Sequence, residues 1–329
     1  LEDSLVITID GGGFEVQSND FPSGRGTGRT AFRGIGNKIE PIYMGYGNPW
    51  APVWSGAPYG EKNTHIKFDD KQRWVFNTPE SIFIGQAWSR YTDEVFGLSA
   101  GPPHGHQAGT VMALAALGKP KFLSAMYPHP IYFKGTAKQL AKMNEQNKYD
   151  IAASLQKWTE EHIFDYIKQI INHESETTDG RHLKNLCLSG GVVLNSVMTG
   201  KLYDEFGFEN IYICPVPYDA GLCIGANQYL YHHILDNDRV KWNDNSPTYL
   251  GELYGKDVIE KDLNKFDKKI VTQNVTDDDV IDLLDKQNII SVFGGGSESG
   301  RRALGNRSIL ADPRSPKMKD MINEKVKHR

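Results

Sequence analysis

At 329 residues the chain is long enough for about two domains with a sizeable buried core. Its 37 Lys and Arg against 41 Asp and Glu give a net charge of −4, and without a long basic run this argues against nonspecific nucleic-acid binding. No apolar stretch approaches the ~20 residues of a membrane span and no secretory leader pattern opens the chain. Cys187, Cys214 and Cys223 lack metal spacing and read as buried thiols of a reducing compartment, so a cytoplasmic protein is expected.

Residues 4–9 are a β-branched run that delivers Asp10 into Gly11, Gly12 and Gly13, followed by Phe14 and Glu15. Such a strand end can offer backbone N–H groups to phosphate, while its Asp holds a Mg²⁺ or the ion's water shell. A tight hairpin turn is the plainer alternative. Residues 18–78, rich in Gly, Pro, Asn and aromatics, predict turns and short antiparallel strands. Among them Arg25 and Arg29 border a loop that meets either an anion or solvent. Tyr43, Tyr46, Trp50, Trp54 and Tyr59 suit stacking on an acceptor or the packing of an irregular region.

An amphipathic helix is predicted over 81–96. His104 and His106 are two apart, a spacing that does not share a helical face, and no third ligand is near, which argues against a metal there. The longest predicted helix, 150–171, carries the stripe Ile151, Leu155, Trp158, Ile163, Tyr166, Ile167 and Ile170. His162 on that stripe reads as a packing residue, and 173–180 is expected to break the helix.

A strand over 186–188 runs into Ser189, Gly190 and Gly191, where missing Cβ atoms admit a ligand or another backbone. A helix is predicted over 193–202, ending near Gly207, with Asn195 offering a polar contact. The strand 210–214 then hands over at Asp219 to a helix over 220–235. This strand, glycine turn, helix, strand, Asp, helix order is an α/β nucleotide-binding layout. Asp219 is expected at the site, and helix capping is its alternative. A polar run over 236–247 sets a boundary near 245, dividing 1–245 from 246–329. Beyond it a helix over 278–287 and a strand over 288–293 open into a stretch with Arg301, Arg302, Arg307 and Arg314 around Gly305, Asn306 and Ser308. Guanidinium forks there suit a small, doubly charged anion, and no P-loop Lys-Ser/Thr follows the glycines.

Ser-Gly-Gly-Val-x-Leu-Asn at 189–195 and Asp-Ala-Gly-x-x-x-Gly-Ala at 219–226 resemble signatures of the O-carbamoyltransferase family of antibiotic-tailoring and nodulation enzymes. FGGGSESGRRALGNRSILADPR at 293–314 resembles that family's second hallmark. The resemblance implies an α/β chain: part of an actin/hexokinase/Hsp70-type ATPase-like domain, related to that of tRNA threonylcarbamoyl-transfer proteins, then the beginning of a YrdC-like domain. The implied reaction activates carbamoyl phosphate with ATP and Mg²⁺ to carbamoyl adenylate. The carbamoyl group then passes to a hydroxyl of a small-molecule natural product beside Fe²⁺ or another divalent metal.

On this resemblance Asp219 is the metal ligand and, with Asp10 and Arg302, catalytic. Gly11, Gly13, Glu15, Ser189, Gly190, Gly191 and Asn195, with Arg302, Asn306, Arg307 and Ser308, bind nucleotide and carbamoyl phosphate. The chain departs from the pattern at Gly294, Gly296 and Arg301, where Gln, Arg and Pro are usual, and at Ala108 and Thr110, where Glu and Lys are usual. It also has no His-x-x-x-His. Against the family pattern both ends read as cut, so this stretch alone is expected to be inactive. A sugar-kinase-like phosphotransferase, a tRNA threonylcarbamoyl-type enzyme and a non-catalytic nucleotide-binding relative are the alternatives, and a homo-oligomer is compatible with all of them.

Overall fold

The computed structural model describes residues 3–14, 26–47, 66–68, 74–76, 83–98, 107–127, 129–240, 248–266 and 273–327. They fall into two compact units, Leu1–Arg239 and Val240–Arg329. Glu15, Arg25, Trp50, Trp54, Tyr59, His104 and His106, and the predicted boundary near 245, lie outside the described residues.

In the first unit β1 (Asp3–Phe14), β2 (Gly26–Ile35) and β3 (Lys38–Gly47) form an antiparallel meander, extended by β4 (Ile66–Phe68) and β5 (Trp74–Phe76). Four helices follow: α1 (Ile84–Arg90), α2 (Ala108–Ala115), α3 (Pro130–Met143) and α4 (Glu145–Thr177). The chain then enters β6 (Asn185–Ser189), passes through α5 (Ser196–Thr199) and α6 (Leu202–Phe206) to β7 (Asn210–Ile213), and continues into α7 (Leu222–Gln228). β6 is parallel to β1 and β7 to β6, giving a seven-stranded mixed sheet ordered β4-β5-β3-β2-β1-β6-β7. Short turns can link the antiparallel strands, whereas the parallel β1 and β6 need the long helical crossover.

The core lies where one face of β1 and β6 meets these helices. Leu5, Ile7 and Ile9 are buried in alternation with partly exposed Val6 and Thr8, the period of two that strand geometry imposes. Leu5 and Ile7 pair in register with Leu186 and Leu188, both buried. From α4, Ile151, Leu155, Trp158, Ile163, Tyr166, Ile167 and Ile170 join the same cluster, as the stripe predicts.

Several elements differ from the sequence expectation. The glycines after Asp10 form neither a turn nor a hairpin tip. β1 continues to Phe14, and between its pairs Ile9↔Arg29 and Gly13↔Thr27 it holds three residues against the single Gly28 of β2, an enlarged bulge with one residue more than the usual two against one. The region after it contains two ten-residue strands rather than short ones only, because pairing partners, not local period, decide them. Helix α4 runs through the predicted break at His173 and stops only before Gly180, whose φ of +68° is left-handed. The single helix expected over 193–202 is instead a 3-10 turn (191–194) followed by α5 and α6. Asn195 starts α5 by accepting the Met198 N–H at 3.2 Å. Gly207 ends α6 as expected, at φ +67°.

The second unit holds α8 (Lys256–Leu263), α9 (Asp277–Asp285), an antiparallel pair of β8 (Ile290–Phe293) with β9 (Arg307–Leu310), and α10 (Met318–Ile322). A reciprocal capping box between Thr276 and Asp279 starts α9.

Candidate functional sites

Parallel strands put their carboxyl ends on one edge of a sheet, and in the first unit that edge gathers the residues singled out by sequence. β1 ends its regular pairing at Asp10, β6 at Ser189, and β7 leads through buried Val216 and Pro217 to Asp219. The Asp10 carboxylate is a clasp. Its Oδ1 accepts the Gly11 N–H at 2.6 Å and its Oδ2 accepts the Gly191 N–H at 3.0 Å, tying the bulge of β1 to the turn after β6. The carbonyl of Pro217 accepts the N–H of Gly190 at 2.5 Å and the hydroxyl of Ser189 at 3.3 Å, adding the third strand end.

The glycines serve close approach. A Cβ on Gly190 would lie 2.1 Å from the Ile9 carbonyl oxygen, and its φ of +98° already favours glycine. On Gly85, in the first turn of α1, a Cβ would lie 2.6 Å from the Gly11 nitrogen, so helix and bulge touch backbone to backbone. The N–H groups of Gly11, Gly190 and Gly191 that sequence reading reserves for phosphate are therefore already bonded, to Asp10 and Pro217. For phosphate to use them, these bonds must exchange.

Asp219 is the first residue of a 3-10 turn (Asp219–Gly221) and is exposed; the cap position of that turn is Tyr218 and that of α7 is Gly221. The capping alternative is thus not realised. Gly221 closes this turn: a Cβ there would stand 2.1 Å from the Val216 carbonyl oxygen. Among the described residues no three His, Cys, Asp or Glu side chains come together as a metal site. Fe²⁺ therefore does not fit the described residues alone, which contribute Asp219 by itself.

Asn195 faces inward. Its Nδ2 donates to Gln156 Oε1 at 2.8 Å, and its Oδ1 accepts from Gln156 Nε2 at 3.3 Å as well as from the Met198 N–H. Gln156 also donates to Glu160 Oε1 at 2.9 Å, which Lys201 Nζ reaches at 2.7 Å. Elsewhere in the unit, fully buried Glu174 binds the Arg33 guanidinium at 2.5 and 2.9 Å and His182 Nε2 at 2.9 Å. Burial pushes its pKa up, but the hydrogen bonds from His182 and Arg33 overcome that and hold it at about 2. His162 is the packing residue expected, its ring 4.3 Å from that of Trp158 and its Nδ1 3.0 Å from the Trp158 carbonyl.

In the second unit the loop between β8 and β9 is organised by Glu298. Its Oε1 accepts the N–H groups of Leu304 at 2.8 Å, Asn306 at 3.0 Å and Arg307 at 3.1 Å, and these bonds hold the carboxyl at about 2. Tyr249 and Leu250 brace the loop, the first donating its hydroxyl to the Leu304 carbonyl at 2.7 Å and the second its N–H to Ser299 Oγ at 2.9 Å.

The four arginines do not act as one set. Arg307 turns into the loop, donating to the carbonyls of Gly294 at 2.7 Å and Asn306 at 2.9 Å, with its guanidinium 3.6 Å from the centre of the Phe293 ring. Arg314 pairs with Asp312 and Asp285, each at 2.5 Å. Asn306 donates to the Gly296 carbonyl at 2.8 Å and Ser308 accepts the Gly305 N–H at 3.0 Å, so both close the loop. Arg301 and Arg302 are exposed on its rim. Sequence reading missed Glu298, Gly85 and Gln156. A lone acid amid glycines was a usable signal for the first, but the other two are defined by contacts distant in sequence.

The chain matches the family models for the carbamoyltransferase N-terminus over residues 128–228 and the carbamoyltransferase C-terminus over 281–329. An uncharacterized protein of Synechocystis sp. is 37% identical over 56% of this chain and 30% of its own length. An uncharacterized protein of Methanocaldococcus jannaschii is 32% identical over 77% of the chain and 44% of its own. Nodulation protein NolNO of Sinorhizobium fredii is 28% identical over 100% of the chain and 43% of its own length. The chain thus spans less than half of each of these relatives.

Proposed function

Since the chain belongs to the carbamoyltransferase family, with N- and C-terminal family regions in order, we propose that the whole protein is an ATP-dependent O-carbamoyltransferase acting on a hydroxyl of a small-molecule acceptor. Carbamoyl phosphate is the proposed donor and carbamoyl adenylate the intermediate. The observation that carries this reading is the convergence of Asp10, the 189–191 turn and Asp219 at one edge of parallel strands. Ligands of open α/β sheets bind at such an edge.

The finer assignment follows the same sheet. An antiparallel β1–β2–β3 meander with β6 and β7 added parallel on the β1 side suits a half of an ATPase-like domain, and we assign the first unit that role. Its sheet-edge crevice takes the adenine nucleotide. The 189–191 turn approaches it closely; Asp10 would hold the Mg²⁺, and the Gly11 and Gly191 N–H groups that it now engages would serve phosphate. Asp219, exposed at the rim, faces the acceptor side. Any metal ion at Asp219 draws its other ligands from outside the described residues.

The second unit, read as the opening of a YrdC-like domain, offers Arg301 and Arg302 to the anionic donor from a loop whose shape Glu298, Asn306, Arg307 and Ser308 fix. Guanidinium forks match phosphate oxygens in pairs, and a pinned loop spares the entropy of ordering them on binding. Incubating the whole protein with Mg²⁺, ATP, carbamoyl phosphate and labelled pyrophosphate tests the reading. Label should pass into ATP only when carbamoyl phosphate is present, and the absence of exchange with any divalent metal would overturn it.

A further inference from the structure

The turn after β6 rests on a polar chain that reaches it from the long helix. Lys201, half exposed, holds buried Glu160, and Glu160 accepts from buried Gln156. Gln156 and Asn195 then join amide to amide in both directions, at 2.8 and 3.3 Å. Asn195 closes the 3-10 turn that begins at Gly191, and the Gly191 N–H meets Asp10. The Gln156–Glu160 link is buried and those through Asn195 to Gly191 and Asp10 are half-buried, so losing Gln156 leaves Glu160 and Asn195 short of a partner.

Two features set Gln156 apart from ordinary core polar groups. It lies on α4, whose apolar stripe anchors it rigidly, and it bonds the residue that sets where the 191–194 turn ends and α5 starts. A primary amide is the neutral side chain of this length able to accept from Asn195 Nδ2 while donating to Asn195 Oδ1 and Glu160. We infer that Gln156 is a positioning residue for the nucleotide, acting through Asn195 to fix the shape and place of the 189–195 turn at the sheet edge, so that the turn stays set when Asp10 releases the Gly191 N–H. The inference rests on the proposal that this turn receives ATP.

Hydrogen exchange in the whole protein, titrated with ATP and Mg²⁺, reads the two sites separately. In the wild type ATP should slow exchange over 189–199. In Gln156→Leu, which keeps the volume and loses all three hydrogen bonds, the ATP concentration for half-protection there should rise about tenfold. Exchange over the separate 294–307 loop, assigned to the anionic donor, should be the same in the variant as in the wild type.

Exchanging the two side chains, Gln156→Glu with Glu160→Gln, restores an acceptor for Asn195 and a donor between the helix positions. This pair keeps the bond from Asn195 Nδ2 but not the donor to Asn195 Oδ1, so it should recover only part of the midpoint that Gln156→Leu loses. If Gln156→Leu fails to fold, the milder Gln156→Glu, which keeps the acceptor and loses the donor, should show the same direction of shift. An unchanged midpoint in a folded Gln156 variant overturns the inference and leaves the proposed function standing. A wild type without ATP-dependent protection over 189–199 overturns the nucleotide assignment of this turn and the inference with it.

Discussion

The two glycine-rich sites are each organised by one carboxylate, but what that carboxylate joins differs. Asp10 links elements far apart in sequence, accepting N–H groups from its own strand and from a turn 181 positions away. Glu298 gathers N–H groups from six to nine residues further along a single loop. The first site therefore exists only when the sheet is assembled, whereas the second is a local device. Loss of a glycine should be costly at the first, and loss of charge should act locally at the second.

The largest effect is expected for Gly190→Ala. A methyl group 2.1 Å from the Ile9 carbonyl, at φ +98°, forces β1 and β6 apart; the expected loss is about 3 kcal/mol or more by denaturant melts of the whole protein. A stability change within about 0.5 kcal/mol would break the contrast with the local loop.

Next comes acid. Glu174 is depressed from 4.5 to about 2, so its contribution is complete above about pH 4.5 and is lost as pH falls through about 2. With the side chain fully buried, that difference corresponds to about 3 kcal/mol. Glu174→Gln should flatten the acid limb of a stability profile between those pH values, and an unchanged limb would remove Glu174 from the account.

Glu298→Gln should have the smallest global effect. It keeps an oxygen acceptor but loses the charge, so amide exchange at Leu304, Asn306 and Arg307 should speed up about tenfold while the melting transition barely moves. The wild-type loop should likewise stay pinned as pH falls below 4.5 and loosen toward about 2, which the same exchange measurement follows.

How much of this was legible in sequence tracks the same difference. A β-branched run marked β1, helical spacing marked α4, and Ser-Gly-Gly marked the end of β6, because each signal is local. The bulge after Asp10, the last turn of α4 beyond His173, and the splitting of 191–206 into three pieces were not legible. They depend on β2, on Arg33 beside Glu174, and on Gln156, each well separated in sequence from the element it shapes. The arginines of 301–314 were legible as a charge cluster. That Arg307 and Arg314 turn to the fold's own carbonyls and carboxylates required the folded loop.

Asp219 tests the central claim most directly. It is exposed and holds neither cap position, these being Tyr218 and Gly221, so Asp219→Asn should leave stability within about 0.5 kcal/mol. Assayed in the whole protein with an accepted hydroxyl substrate, the account predicts pyrophosphate exchange near the wild-type rate and carbamoyl transfer reduced by about a hundredfold or more. Transfer at the wild-type rate in this variant would contradict the placing of the reaction at the edge of the parallel strands.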